Sequence, residues 1–146
     1  MNSKTKYLLI GAALMGAGLT ATRGHATNST QCVATDGDTL ICGGKTHRVR
    51  IRLNGIDAPE LPGHCPASRV CAPGDPLASK RNLAALIAGK VVTWRSLGKD
   101  KYGRTLALPK ADGLDLSCEQ LRGGYAIYRK DWDKGRRLGR ACPLNG

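Results

Sequence analysis

Apolar and polar residues alternate most regularly over Val49-Arg50-Ile51-Arg52-Leu53, the period-two mark of a strand with one basic and one apolar face. The same pattern predicts strands at Cys32-Val33-Ala34, at Thr39-Leu40-Ile41-Cys42 and from Thr46 to Leu53. Asp36-Gly37-Asp38-Thr39 and Gly43-Gly44 are turn sequences between them, so the three runs form a meander. Helical spacing begins after Asp75-Pro76, an N-cap followed by proline at the first helical position. Leu77, Leu83, Leu86 and Ile87 supply its apolar stripe and Gly89 its stop. Strands are expected again at Lys90 to Trp94 and Thr105 to Leu108, then a short helix from Leu116 to Arg122 closed by Gly123-Gly124. Beyond Tyr128 the pattern dissolves, because Gly135 and Gly139 interrupt the helix formers. Three strands, a helix, two strands and a helix predict a mainly β, α+β chain. They fit a five-stranded barrel of the OB type with two clear helices and a shortened third.

The first residues stand apart. Lys4 and Lys6 precede an apolar run from Tyr7 to about Leu19, too short and too rich in Gly and Ala for a firm membrane span. This fits a signal peptide over 1–26, with Gly24-His25-Ala26 a small-x-small cleavage site and Ala21 a second; an uncleaved anchor is the alternative. A single domain over 27–146 follows. All six cysteines lie after the leader, which predicts three disulfides in a secreted or periplasmic protein. Fifteen pairings exist on paper. Cys32 and Cys42 flank the first turn symmetrically, Cys65 and Cys71 share a Pro/Gly/Ser loop, and Cys142 then ties the tail to Cys118. A zinc site is disfavoured, since no C-x-x-C occurs and the three histidines are scattered. Loss of Lys4, Lys6 and Arg23 with the leader takes the formal charge from +12 to +9, which favours a polyanionic partner over a neutral one. With no Phe, the core must come from Leu, Ile, Val and Ala with two Trp.

Candidate chemistry gathers in the nine residues from Arg52 to Glu60. Pro59 stiffens the stretch and pushes Ala58 out of the helical region, holding a guanidinium near the carboxylates of Asp57 and Glu60. Hydrolysis of a phosphodiester needs a base for water, cations for developing charge, and orientation of the substrate. Asp38 and Asp57 suit a hard divalent cation, with the Ala58 carbonyl as a further ligand. Glu60 suits the base, and Arg52 and Arg104 suit planar forks for phosphate oxygens. Lys101 and Tyr102 suit contacts to a phosphate backbone. Each also has a plain structural reading. Asp-Gly is a common turn, Asp57 and Glu60 can pair with Arg50 or Arg52, and Lys101 to Arg104 can be a solvated turn. His47 and His64 read as surface residues and Trp94 as core.

Their joint order is more specific. Asp36-Gly37-Asp38-Thr39, Arg52 five residues before Asp57, Asp57-x-Pro59-Glu60 and Asp100-Lys101-Tyr102-Gly103-Arg104 together resemble the thermonuclease (staphylococcal nuclease-like) family, over about Cys32 to Tyr128. The resemblance implies an OB fold and calcium-dependent hydrolysis of DNA and RNA that leaves 3′-phosphates. It matches Asp38, Asp57 and the Ala58 carbonyl to the Ca2+ ligands, Glu60 to the general base, Arg52 and Arg104 to the phosphate-binding arginines, and Lys101 and Tyr102 to positions at the terminal phosphate. The chain departs from the family in a longer loop after Glu60, in a shortened third helix, and in lacking a clear base-stacking tyrosine, for which Tyr128 and Trp132 are the nearest candidates. The expectation is an exported nuclease acting on DNA and RNA as a monomer, without stable membrane association. The rivals are a non-catalytic OB module that binds nucleic acid or another polyanion, and a phosphodiesterase for small nucleotides.

Overall fold

The alternation at Val49–Leu53 becomes the middle of a five-stranded sheet in the computed structural model, which describes residues 27–143. The expected leader, 1–26, lies outside the described residues. Strands β1 (Asn28–Thr30), β2 (Cys32–Ala34), β3 (Thr39–Cys42), β4 (Val49–Leu53) and β5 (Ile56–Asp57) precede helix α1 (Pro76–Ile87). Then come β6 (Val92–Trp94), β7 (Ser96–Lys99), β8 (Thr105–Ala107), β9 (Lys110–Ala111) and β10 (Leu114–Asp115). The described residues end in α2 (Leu116–Arg122), β11 (Ile127–Tyr128), two 3₁₀ turns at Lys130–Trp132 and Lys134–Arg136, and α3 (Arg137–Ala141).

The five-stranded sheet has the order β2-β3-β4-β8-β7, with β3 antiparallel and β8 parallel to β4. Opposing Leu40 and Ile51 are fully buried, as are Leu53 and its partner Ala107, because the period-two pattern sends these side chains to one face. A second sheet, β1-β6-β9-β10, and the pair β11-β5 complete the strands. With three helices among the described residues the architecture is α+β, and its short strands outnumber the five that the sequence predicts. The surplus strands are two to four residues long, below the length at which a period can be read.

Helix α1 starts as its cap dictates. Asp75 accepts hydrogen bonds from the N–H groups of Leu77 and Ala78. The expected stripe needs one correction: Leu77 is 52% exposed, and Ser79 is buried in the same turn. The Ser79 hydroxyl donates to the Tyr125 carbonyl at 2.6 Å, which removes the cost of burying it. Beside it the Gln120 amide donates to the carbonyls of Gly37 and Ser79 at 2.6 and 3.1 Å and accepts from Asn82. One buried side chain thus fixes α2, α1 and the Asp36–Thr39 turn together. The turn fits beneath α1 only as glycine, since a Cβ on Gly37 would lie 1.9 Å from the Ser79 hydroxyl.

The three disulfides join the pairs read from the sequence, Cys32–Cys42, Cys65–Cys71 and Cys118–Cys142. Cys32 and Cys42 stand opposite one another across the β2–β3 hairpin. The tail is tied twice more. Buried Asp133 accepts from Asn54 Nδ2 and Leu138 N on one oxygen, and from the Tyr128 hydroxyl and Gly139 N on the other, all at 2.9–3.0 Å. Leu138 fills the space above Gly55, where a Cβ would stand 3.0 Å from both Asp133 and Leu138.

Burial raises the Asp133 pKa, but the hydrogen bonds outweigh it and hold the carboxyl below its ordinary range. A depressed carboxyl stabilises the fold above the unfolded pKa of about 3.9 and loses that contribution as pH falls through the folded value. Asp133→Asn sets an amide against two of the four donors and should cost about 3 kcal/mol at neutral pH. Urea titrations should show that deficit in full above about pH 4 and shrinking below it. A deficit that stays constant down to pH 2.5 would refute the assignment.

Candidate active site

The Asp36–Thr39 turn delivers Asp38 inward. The Asp36 carboxylate accepts from Asp38 N at 3.0 Å, and the Asp38 carbonyl accepts from Leu53 N at 2.9 Å, so the residue is clamped against the end of β4. Its Oδ1 accepts from the Thr39 hydroxyl, and its Oδ2 from Ala58 N at 2.8 Å. Arg52 Nη2 lies 2.9 Å from the same Oδ2, which follows from β3 and β4 pairing Thr39 opposite Arg52. Burial pushes the Asp38 carboxyl up to about 7, against the pull of Arg52 and with Asp36 adding to the rise.

Asp57 ends β5 with its side chain fully out of solvent, yet neither carboxylate oxygen accepts a hydrogen bond among the described residues. Charge meets it instead. Arg52, Arg69 and Arg129 place guanidinium nitrogens 3.7, 3.5 and 3.6 Å from its oxygens, beyond hydrogen-bond length. Burial raises its pKa, opposed by Arg69, Arg52 and Arg129 in that order. The three guanidiniums also share one aromatic ring, lying 5.7, 5.4 and 4.4 Å from the centre of Trp132. Arg129 arrives through the β11–β5 pair, in which Ile127 stands opposite Asp57. Arg69 arrives from the loop closed by Cys65–Cys71 and also pairs with exposed Glu60 at 2.5 Å.

The structure therefore brings together Asp38, Asp57, Glu60 and Arg52. Arg104 forms no ion pair with these acids among the described residues: its Nε pairs with Asp100 at 2.7 Å and its guanidinium lies over the Tyr102 ring. It enters beside β4, because β8 sets Thr105 opposite Ile51. Lys101 and Tyr102 are exposed on the same turn, 5.0 Å apart from ammonium to ring centre. Three contributors escaped the sequence reading in their present role. Arg69 and Arg129 carried no motif, and Trp132 was weighed only as a base-stacking residue. The other stacking candidate, Tyr128, is engaged with Asp133.

The fit of a hard cation can be judged from the donors. Among the described residues no group of three or more His, Cys, Asp or Glu is placed to hold a metal. Two carboxylates converge on one guanidinium, however, and both oxygens of Asp57 lack any donor. Oxygen ligands of that kind, completed by a backbone carbonyl, suit Ca2+. The carboxylates of Asp38 and Asp57 are thus of the kind that fits such an ion.

Comparison with known proteins gives the family. Residues 50–140 match the model of a family described as staphylococcal nuclease homologue, whose domain has the OB fold. An uncharacterized endonuclease of Haemophilus influenzae is 35% identical over 98 residues, 66% of this chain and 49% of that protein. An uncharacterized endonuclease of Escherichia coli O157:H7 is 34% identical over 97 residues, 65% of this chain and 57% of that protein. A probable staphylococcal-like nuclease of Oryza sativa subsp. japonica is 33% identical over 87 residues, 60% of this chain and 20% of that protein. The chain thus spans less than two thirds of the length of each of these relatives.

If Trp132 is the plate on which the three guanidiniums rest, its ring matters more than its bulk. Trp132→Leu should cost about 2–3 kcal/mol and Trp132→Phe less than about 1 kcal/mol, since both keep apolar bulk and only the phenyl ring keeps the attraction for cations. Urea midpoints measure both. Equal losses in the leucine and phenylalanine variants would mean that packing alone holds the tryptophan.

Proposed function

Because the chain belongs to the staphylococcal nuclease homologue family, we propose that it is an exported, calcium-dependent nuclease that hydrolyses phosphodiester bonds of DNA and RNA and leaves 3′-phosphates. The observation that carries this reading is the pair of buried carboxylates, Asp38 and Asp57, converging on Arg52 beside exposed Glu60. A site built only for stability has little use for Asp57, whose two oxygens are buried without a donor. Three disulfides among the described residues support a destination in an oxidising compartment, as does the leader-like stretch 1–26.

The roles divide by exposure. Asp38, Asp57 and the Ala58 carbonyl would hold the ion, which when bound neutralises the carboxylates and polarises a phosphoryl oxygen. Glu60 is the acid of the three that meets solvent, so it can take a proton from water once Arg69 moves aside. Arg52 is buried, with Nη1 on the carbonyls of Leu53 and Asp38 and Nη2 on the Asp38 carboxylate, so its Nη2 turns to a phosphate once an ion takes over Asp38. Arg129 keeps its donors for a phosphate, since it makes no side-chain hydrogen bond among the described residues. Arg104, with Lys101 and Tyr102, is assigned to the outer phosphates. Water adds its oxygen to phosphorus and gives its proton to Glu60. The P–O5′ bond breaks with its electron pair on the 5′ oxygen, which takes up a proton from solvent, and the phosphate stays on the 3′ side.

Digestion of plasmid DNA and of RNA with calcium, against a chelator control, tests the activity, and end-group analysis tests the product. No cleavage by the folded, oxidised protein with any of several divalent ions would leave a nucleic-acid-binding module instead. Within the site, Glu60→Gln should keep calcium binding and lose on the order of 10²–10⁴ in rate. Arg52→Lys should be comparably severe, because an ammonium cannot reproduce the fork. Arg50→Lys, exposed on the same strand two residues away, should stay within about twofold of the parent. Equal losses at Arg50 and Arg52 would reduce the arginines to a diffuse basic face.

A further inference from the structure

The arginines at Asp57 are balanced by acids, whereas a second set of cations is not. Between strands β6 and β7 and helix α3 lies a cleft of about 660 Å³ whose rim carries Arg95, Lys110, Arg137 and Arg140. All four are exposed, and none forms an ion pair among the described residues. Among the described residues no acid lines the cleft, although Asp115 stands opposite Lys110 on the neighbouring strand, and the apolar wall is Trp94, Leu97 and Leu108. A smaller hollow of about 380 Å³ shares Arg95, Leu97 and Arg137 and extends the groove to Gly98. Lys134 adds a fifth cation there, its Nζ 2.6 Å from where a Cβ on Gly98 would stand.

Cations gathered without counter-charge repel one another, so the arrangement is costly unless an anion occupies it. An apolar wall inside a cationic rim suits a ligand that shows phosphates and base faces together. A single strand does so, whereas a duplex offers mainly phosphates. An anionic lipid surface fits less well, because Trp94 is recessed at 6% exposure and cannot reach into a bilayer. One chain segment contributes to both the cleft and the candidate site. The tail segment 129–141 puts Arg129 and Trp132 on Asp57 at one end and Arg137 and Arg140 on the cleft at the other.

We propose that this cleft is a second binding site for the single-stranded part of the nucleic-acid substrate, gripping the phosphate backbone away from the point of cleavage. The assignment rests on the nuclease reading above and adds to it a site for strand length. Its test uses the doubly substituted Arg95→Ala/Arg140→Ala protein, with Lys45→Ala/Lys80→Ala, exposed cations outside the cleft, as the control for lost charge. Binding of single-stranded DNA and RNA of about 20 nucleotides is measured by anisotropy in chelator across a salt series. The cleft variant should bind both roughly tenfold more weakly, with a salt slope shallower by about 1.4, two phosphate contacts at about 0.7 each. Hydrolysis of a dinucleotide ester, too short to span both sites, should be unchanged. Binding equal to that of the control variant would overturn the cleft assignment, and so would an equal loss on duplex DNA or a loss confined to anionic vesicles. Parent protein that neither cleaves the dinucleotide ester nor binds the strands would instead overturn the nuclease reading itself.

Discussion

A carboxylate taken wholly out of water has to be met by something, and Asp57 is met by three guanidiniums rather than by hydrogen bonds. That one requirement organises much of the fold. Arg52 comes from the central strand, Arg69 from the stapled loop, and Arg129 from the tail, so three distant segments are drawn to one point. The ring of Trp132 lets three like charges approach each other, since each faces negative π density instead of its neighbours alone. Without Asp57 the same arginines would be a repulsive cluster. Without the arginines, Asp57 would be an unpaired buried charge costing several kcal/mol.

The tail is where this arrangement is most exposed to failure, because its own secondary structure is poor. Two 3₁₀ turns and a five-residue helix do not hold together alone. Asp133 replaces the missing helical order with four hydrogen bonds and links the tail to Asn54, far away in sequence. Cys118–Cys142 closes the far end. A core without phenylalanine needs such fastening, since aliphatic side chains alone bury less area per residue.

Much of this was legible in the sequence wherever the information is local. Asp75-Pro76 gave the start of α1, and the Arg52-to-Glu60 spacing placed Asp57 beside a guanidinium, because both depend on neighbours within a few residues. The symmetry of Cys32 and Cys42 about a turn sufficed for their pairing. Arg69 and Arg129 were not legible. Nothing near Arg69 in the chain says which way a Pro/Gly/Ser loop folds, and Arg129 reaches Asp57 only because β11, two residues long, pairs with β5. The error at Leu77 has the same root. Helical spacing makes it apolar-facing, but the buried position goes to Ser79, whose hydrogen bond to Tyr125 is a tertiary contact.

The distribution of positive charge carries a final point. A formal charge of +12 could mean an even cationic coat, useful for solubility and little else. The structure divides it by depth. Arg52, Arg69 and Arg129 are drawn inward and matched by Asp38, Asp57 and Glu60, so the uncharged balance there depends on what occupies the carboxylates. Any cation that takes over the acids releases guanidiniums to seek another anion, and a phosphate supplies one. Arg95, Lys110, Arg137 and Arg140 are left outside with no acid among them. Their attraction for a polyanion is constant, whereas that of the inner set is conditional. On the proposed function, a protein arranged in this way gathers its anionic partner by the outer charges and commits the inner ones only where the acids are already satisfied.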